Sequence, residues 1–135
     1  MTTQNISLSF VSIICSDFIS QASFYGTVFS LPEIEELASE HFRALRVGGT
    51  TLGFHTPGAL ELLSLPPETI IGDSSASFWT FETADEAAVD TLVADALTAG
   101  ATLVKAPYLT YYGARQAVLR DPEGNVFRIN RSGVQ

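Results

Sequence analysis

Residues 10–32 (FVSIICSDFISQASFYGTVFSLP) share one pattern with residues 78–100 (FWTFETADEAAVDTLVADALTAG), at a constant offset of 68 residues. In each stretch a run of β-branched and aromatic residues precedes an aspartate, Asp17 or Asp85, which is placed to cap a helix. The second copy then has apolar residues at amphipathic-helix spacing and ends at Gly100. The sequence therefore predicts an internal duplication of a strand–helix unit.

Three further β-like runs follow each predicted helix. They lie around residue 34, at 42–47 and at 50–55 in the first half, and around residue 103, at 116–120 and at 125–130 in the second. Glycine turns join the last two runs of each half. Each half is predicted as βαβββ, giving one α+β domain over residues 1–135 with modules at about 5–56 and 75–131 and a linker at 57–74. Residues 107–114 (PYLTYYGA) are expected to form an extra loop.

Composition excludes several classes of protein. A chain that is 46% hydrophobic and 16% charged can build a core, which argues against disorder. The net charge of -8 argues against nucleic acid and anionic membranes as partners. The sequence has neither an apolar run of about 20 residues nor a signal-like start, so a cytoplasmic protein is expected. The single cysteine, Cys15, is interpreted as a buried apolar side chain.

The duplicated unit, the helix-starting aspartates, the pair Phe24-Tyr25 and the late motif DPEGN at 121–125 together resemble the vicinal oxygen chelate superfamily. That superfamily includes glyoxalase I, extradiol dioxygenases and bleomycin-resistance proteins, and the resemblance covers residues 8–130. It implies that the strands of each module curl into an open, incomplete barrel, with helices on the convex side and a ligand cavity on the concave side. It also implies a homodimer whose cavities are completed by pairing.

Strand alternation on this fold assigns side chains to the two faces of each sheet, because successive residues point to opposite sides. The helix-facing set is apolar and includes Trp79 and Phe81. The concave set is mixed and consists of Phe10, Ser12, Ile14, Gly53, His55, Phe78, Thr80, Glu82, Arg128 and Asn130. The second histidine, His41, is assigned to the surface.

The resemblance also places the metal ligands of the metal-dependent members at four positions of this chain, Phe10, Gly53, Phe78 and Arg128. A phenyl ring has no lone pair, glycine has no side chain, and arginine stays protonated and only donates. We therefore predict no metal and no cofactor, and we do not expect glyoxalase I or extradiol dioxygenase activity.

A small organic ligand is the expected partner of the concave face. The candidate ligand-binding residues are Phe10, Ser12, His55, Phe78, Glu82, Tyr111, Tyr112, Arg115 and Arg128, with Tyr108 also in the predicted loop. The acidic surface favours a cationic ligand, whereas an inward arginine favours an anionic one, so the sequence leaves the sign of the ligand open.

Three functions remain compatible with these residues. The first is a metal-free binding protein that sequesters an antibiotic or another aromatic compound. The alternative is a metal-independent lyase or isomerase of the same fold that uses His55, Glu82, Arg128 or a loop tyrosine. The third is a dimeric scaffold with a filled core. The sequence favours the first, because no nucleophile–base pair or carboxylate dyad stands at a useful spacing.

Overall fold

Two open sheets, one from each half of the chain, confirm the duplicated α+β architecture in the computed structural model, which describes residues 5–134. The elements in chain order are β1 (Phe10–Ile14), α1 (Phe18–Val28), β2 (Phe42–Val47), β3 (Thr50–His55), α2 (Ala59–Leu62), β4 (Trp79–Glu82), α3 (Glu86–Thr98), β5 (Thr102–Leu109), β6 (Arg115–Arg120) and β7 (Val126–Arg131).

The two sheets share one strand arrangement, except that the second has an additional edge strand. The first has the order β1-β3-β2 and the second β4-β7-β6-β5. In each sheet the strand before the helix pairs in parallel with the last strand of its module, and the remaining pairs are antiparallel. Within residues 5–134 no helix is long and apolar enough to cross a membrane.

The predicted helix starts are confirmed. The Asp17 carboxylate accepts from the backbone N–H of Ser20 at 3.1 Å, and the Asp85 carboxylate accepts from that of Ala88 at 2.8 Å. Each bond satisfies a backbone donor that the first helical turn leaves unpaired. The two helices therefore begin at equivalent points of the two modules.

The first module lacks a full second strand, so the prediction of a strand around residue 34 is wrong in detail. Glu33 forms only an isolated bridge with Leu45, and a 3-10 turn follows at Glu35–Leu37. This segment makes two backbone hydrogen bonds with β2: the N–H of Ile34 donates to the Ala44 carbonyl, and the N–H of Arg46 donates to the Pro32 carbonyl. Pro32 has no N–H of its own with which to extend the pairing.

The second module differs from the prediction in its loop. Pro107 and Tyr108 belong to β5, and the loop is reduced to residues 110–114. Proline is tolerated here because β5 is the edge strand of its sheet, where one side of the backbone has no ladder partner. The linker also contains the short helix α2, which the sequence did not predict.

One core lies between the helix-facing sides of the two sheets. The ring of Tyr25, on α1, lies 5.7 Å from that of Phe54 on β3 and 5.6 Å from that of Phe127 on β7, measured between centroids. Phe24 packs edge-on against Phe127 at 5.9 Å. Helix α1 therefore contacts both modules and holds them together.

Asp121 is a buried polar link between the modules. Its carboxylate accepts from the Tyr25 hydroxyl at 2.6 Å and from Gln21 Nε2 at 2.9 Å, both on α1. The Tyr25 oxygen in turn accepts from the indole N–H of Trp79 at 3.2 Å. Burial, followed by the nearby Asp121 charge, raises the pKa of Tyr25 and keeps its hydroxyl protonated as a donor.

Glu123, in the same DPEGN turn, holds the start of α1. Its two carboxylate oxygens accept from the backbone N–H groups of Ser16 and Asp17, each at 2.7 Å. The neighbouring Cys15 is fully buried, and burial followed by the Glu123 and Asp121 charges raises its pKa to about 12. The thiol is thus not a nucleophile at neutral pH, in agreement with its interpretation as core.

Candidate functional site

The open face of each sheet is the side turned away from the helices, which the sequence predicted to be concave. Strand pairing fixes which side chains share this face, because partners across a ladder point to the same side. The open-face rows of the first sheet are Phe10–Thr51–Arg46, Ser12–Gly53–Ala44 and Ile14–His55–Phe42; two rows of the second are Thr80–Arg128–Val118–Lys105 and Glu82–Asn130–Gln116–Tyr108.

An aromatic cluster, consisting of Phe10, Phe42 and His55, occupies the first open face. The Phe10 and Phe42 ring centroids are 6.5 Å apart, and those of Phe42 and His55 are 4.6 Å apart. Together with Ser12 and with Leu62 and Leu63 from the linker, these rings line a hollow of about 390 Å³. Phe10 remains 46% exposed, so it does not fill this face.

Phe42 is a further residue of the first open face that was not predicted from the sequence. Its ring lies directly over Gly53, because a Cβ atom built on Gly53 would be only 2.7 Å from Phe42 Cε1. Gly53 has no side chain, and this absence makes the space that the ring uses. Counting the alternation of β2 back from its buried residue Leu45 would have placed Phe42 on the open face.

Arg128 is the centre of the second open face. Its Nε donates to the hydroxyl of Thr80 at 2.9 Å, and its guanidinium carbon lies 4.9 Å from the centroid of the Phe78 ring. The hydrogen bond and the cation–π contact fix the direction of the guanidinium. Phe78 is 50% exposed, which leaves its ring available to a ligand.

Glu82 has a structural role beside Arg128. Its carboxylate accepts from Asn130 Nδ2 at 2.8 Å and from the backbone N–H of Ser132 at 2.7 Å. Burial opposes ionisation, but these hydrogen bonds and the one from the Ser132 hydroxyl outweigh it and hold the pKa of Glu82 below its ordinary value. Glu82 is therefore an ionised, hydrogen-bonded carboxylate that anchors β7, a poor candidate for a general base.

The two loop tyrosines differ in how they are held. Tyr111 is fully exposed, while the Tyr112 hydroxyl accepts from Gln116 Nε2 at 2.9 Å. Gln116 Nε2 also donates to Asn130 Oδ1 at 3.0 Å, which connects Tyr112 to the polar residues of the second open face. The two tyrosine rings meet edge to face at 5.1 Å, so Tyr112 orients the exposed ring of Tyr111.

Arg115 is separated from the other candidates. It is the first residue of β6, on the helix-facing side, and its guanidinium pairs with the Asp90 carboxylate of α3 at 2.7 Å. The structure therefore assembles Phe78, Arg128, Glu82 and the tyrosines on one sheet and Phe10, Ser12 and His55 on the other. Among residues 5–134 no hydrogen bond or aromatic pair joins the two open faces, so His55 and Glu82 are not partners.

The four positions to which the resemblance assigns metal ligands do not fit a metal ion. Phe10, Phe78 and Arg128 offer no ligand atom, and the space over Gly53 is taken by the Phe42 ring. In the part of the chain that the structure describes, no group of three or more His, Cys, Asp or Glu could hold an ion. Both open faces present aromatic rings and hydrogen-bond donors instead.

The packing of His55 gives a prediction about acid sensitivity. Partial burial lowers the pKa of the imidazole below its ordinary value of 6.5, so protons bind the unfolded chain first as the pH falls. The folded state should then lose stability as the pH falls through about 6.5 toward the lower folded pKa. Denaturant unfolding should show that the free energy of unfolding falls less between pH 7.5 and pH 5.5 in His55→Gln than in the unmodified protein.

His41→Gln, which removes an exposed histidine, is the control for this measurement. An equal fall in the free energy of unfolding in the two variants would contradict the prediction.

Comparison with known proteins identifies the family. A family model described as a glyoxalase-like domain matches residues 10–130. A glyoxalase/bleomycin resistance protein/dioxygenase family enzyme from Burkholderia phytofirmans PsJN is 43% identical, with a TM-score of 0.88, over 95% of this chain and 100% of that one. No curated protein matches the chain.

More distant structures share the fold alone. A glyoxalase-related enzyme from Fulvimarina pelagi is 16% identical with a TM-score of 0.82, over 93% of this chain and 88% of that one. A lactoylglutathione lyase from Agrobacterium tumefaciens is 17% identical with a TM-score of 0.72, over 95% of each chain. The family match across both modules, together with the duplicated topology, confirms the resemblance seen in the sequence. The chain belongs to the glyoxalase/bleomycin resistance protein/dioxygenase family, within the vicinal oxygen chelate superfamily.

Proposed function

We propose that this protein binds a small organic molecule on its open faces without a metal ion. The observation that carries the proposal is the Phe42 ring seated over Gly53, in the space where a metal-binding side chain would have to stand. Half-exposed Phe10 and Phe78 support it, because they offer aromatic surface to a ligand on each sheet. The function is binding by shape and stacking, and sequestration of an antibiotic or another aromatic compound is the form of it that we propose.

The enzymatic alternative has less support from the geometry. A lyase or isomerase needs a base with a free lone pair near the substrate. The Glu82 carboxylate is engaged by Asn130 and Ser132, and His55, which lines the hollow on the first open face, has no carboxylate partner among the described residues. The loop hydroxyl of Tyr112 accepts from Gln116. We therefore place binding ahead of catalysis.

A ligand panel tests the proposed function. Thermal unfolding of the protein should be followed with basic glycopeptide antibiotics, aromatic carboxylates and neutral aromatics, because a ligand of the folded state raises the midpoint by mass action. Phe42→Ala removes the ring over Gly53 and should abolish the shift, while Phe18→Ala, on α1, is the matched control. A panel in which no compound raises the midpoint would favour the scaffold interpretation.

We also propose that two copies pair to complete the site. Within the described residues β1 and β4 each have a neighbour on one side only, and an open cleft of about 720 Å³, lined by Leu8, Val11, Phe81 and other mostly apolar residues, lies between them. Unpaired sheet edges next to an apolar cleft favour association with a second copy.

Sedimentation velocity at micromolar concentration tests the pairing. We expect a dimer, and we expect Leu8→Glu to shift it toward monomer because a carboxylate would enter the apolar cleft. Ile19→Glu, which places the same charge on an exposed position of α1, should leave the dimer intact. A monomer for the unmodified protein would contradict the proposal.

A further inference from the structure

Charged residues are distributed very unevenly in this acidic chain. All seven lysine and arginine residues lie on strands, whereas Glu82 is the only one of the fifteen acidic residues that does. Strand pairing places four of the basic residues at open-face positions: Arg46, Lys105, Arg120 and Arg128. The open faces are thus locally basic although the net charge of the chain is -8.

The three basic residues on the helix-facing sides already have partners. Arg115 pairs with Asp90, and Arg43 bonds to the Phe42 carbonyl near Glu33. Arg131 Nη1 donates to the Thr83 carbonyl at 3.1 Å. The guanidinium groups of these three residues are thus directed toward partners within the fold and not toward a ligand on the open faces.

Arg128 has a different set of contacts. Its Nε donates to Thr80 and its guanidinium carbon lies 4.9 Å from the Phe78 ring centroid, but within residues 5–134 its two terminal nitrogens make no hydrogen bond. Lys105 stands in the same row beyond Val118, with its ammonium 3.8 Å from the Tyr108 ring centroid. A guanidinium held at one edge and free at the other is arranged to bind two oxygens of one oxyanion group, such as a carboxylate or a sulfonate, through two parallel N–H bonds.

We propose that the ligand is an aromatic anion whose oxyanion group binds Arg128 and whose ring stacks on the aromatic side chains of the open faces. The inference rests on the proposed function and adds the chemical class of the ligand. Glu82 keeps its negative charge on this face, but its oxygens are directed toward Asn130 and Ser132, and the nearby positive charge of Arg131 offsets part of that charge. Lys105 adds a second positive charge on the same face, which strengthens the attraction.

Two fluorescent probes separate the charge of the ligand from its aromatic body. The first is 1-anilinonaphthalene-8-sulfonate, an aromatic anion, and the second is Nile red, which is aromatic and neutral. Both should bind the unmodified protein. Arg128→Gln should lower the affinity for the anion by at least about tenfold, because a charge-assisted hydrogen bond is lost. The same substitution should leave the affinity for Nile red unchanged. Arg43→Gln, which removes the same charge from the helix-facing side, should change neither.

The outcomes distinguish this inference from the proposed function. If the unmodified protein binds Nile red but not the anion, the inference is wrong and the proposed function still stands. The same conclusion follows if Arg128→Gln and Arg43→Gln change the affinity for the anion equally. Failure of both probes with the unmodified protein would overturn both. An anion affinity that also falls with added salt, and falls less steeply in Arg128→Gln, would support the inference.

Discussion

Replacing Asp121 by alanine is expected to lower the free energy of unfolding by about 3–5 kcal/mol, the usual cost of breaking a buried, fully paired charged group. The Asp121 side chain accepts from Tyr25, from Gln21, from the side chain of Asn125 and from the backbone N–H groups of Glu123 and Asn125. The residue is only 2% exposed, so water cannot easily replace the lost acceptor.

Equilibrium unfolding in guanidinium chloride measures this effect. Asp95→Ala, on the exposed side of α3, is the matched control and should change stability by no more than about 0.5 kcal/mol. The loss of stability in Asp121→Asn should lie between those of Asp121→Ala and Asp95→Ala, because asparagine keeps one acceptor oxygen but loses the charge. Equal stabilities for Asp121→Ala and Asp95→Ala would show that the DPEGN turn does not hold the modules together.

The second large effect is expected at Phe127. Its side chain is fully buried and lies against the rings of Phe24, Tyr25, Phe29 and Phe81, at centroid distances of 5.6 to 6.3 Å. Phe127→Ala should therefore cost about 3–5 kcal/mol, the sum of lost burial and the cavity left behind.

Phe78→Ala is the comparison variant for Phe127→Ala, because it removes the same type of side chain from the open face of the same sheet. Phe78 is half exposed, so its loss should cost about 1 kcal/mol in the same denaturation experiment. The contrast tests the division of each sheet into a core side and a ligand side. Comparable losses for the two variants would mean that the open face is part of the core.

The sequence predicted those features that depend on local pattern. The repeat at 10–32 and 78–100, the capping aspartates Asp17 and Asp85, and the alternation of Leu52 and Phe54 with Gly53 and His55 all follow from short-range rules of helices and strands. The structure confirms the helix caps and the buried helix-facing side chains. The fold could therefore be predicted in almost all its elements.

The features that were missed depend on contacts between distant elements. Arg115 directly follows the predicted loop, and its partner is revealed only when packing of α3 on the second sheet brings Asp90, 25 residues earlier, beside it. Phe42 becomes a site residue only because β2 pairs with β3 and places its ring over Gly53. Pro107 could be in a strand only because that strand is at an edge. Local patterns assign a residue to one face of a strand, but they do not show which residue of a neighbouring element it meets.

Elemental analysis of the purified protein shows whether its binding site holds a metal ion. The protein should be produced in medium containing Zn²⁺, Ni²⁺, Mn²⁺ and Fe²⁺, and its affinity for 1-anilinonaphthalene-8-sulfonate should be measured before and after treatment with a chelator. We predict no stoichiometric transition metal and the same affinity in both states, because Phe10, Gly53, Phe78 and Arg128 provide no ligand atoms. One bound ion per chain, whose removal abolishes binding of the anion, would contradict metal-free binding.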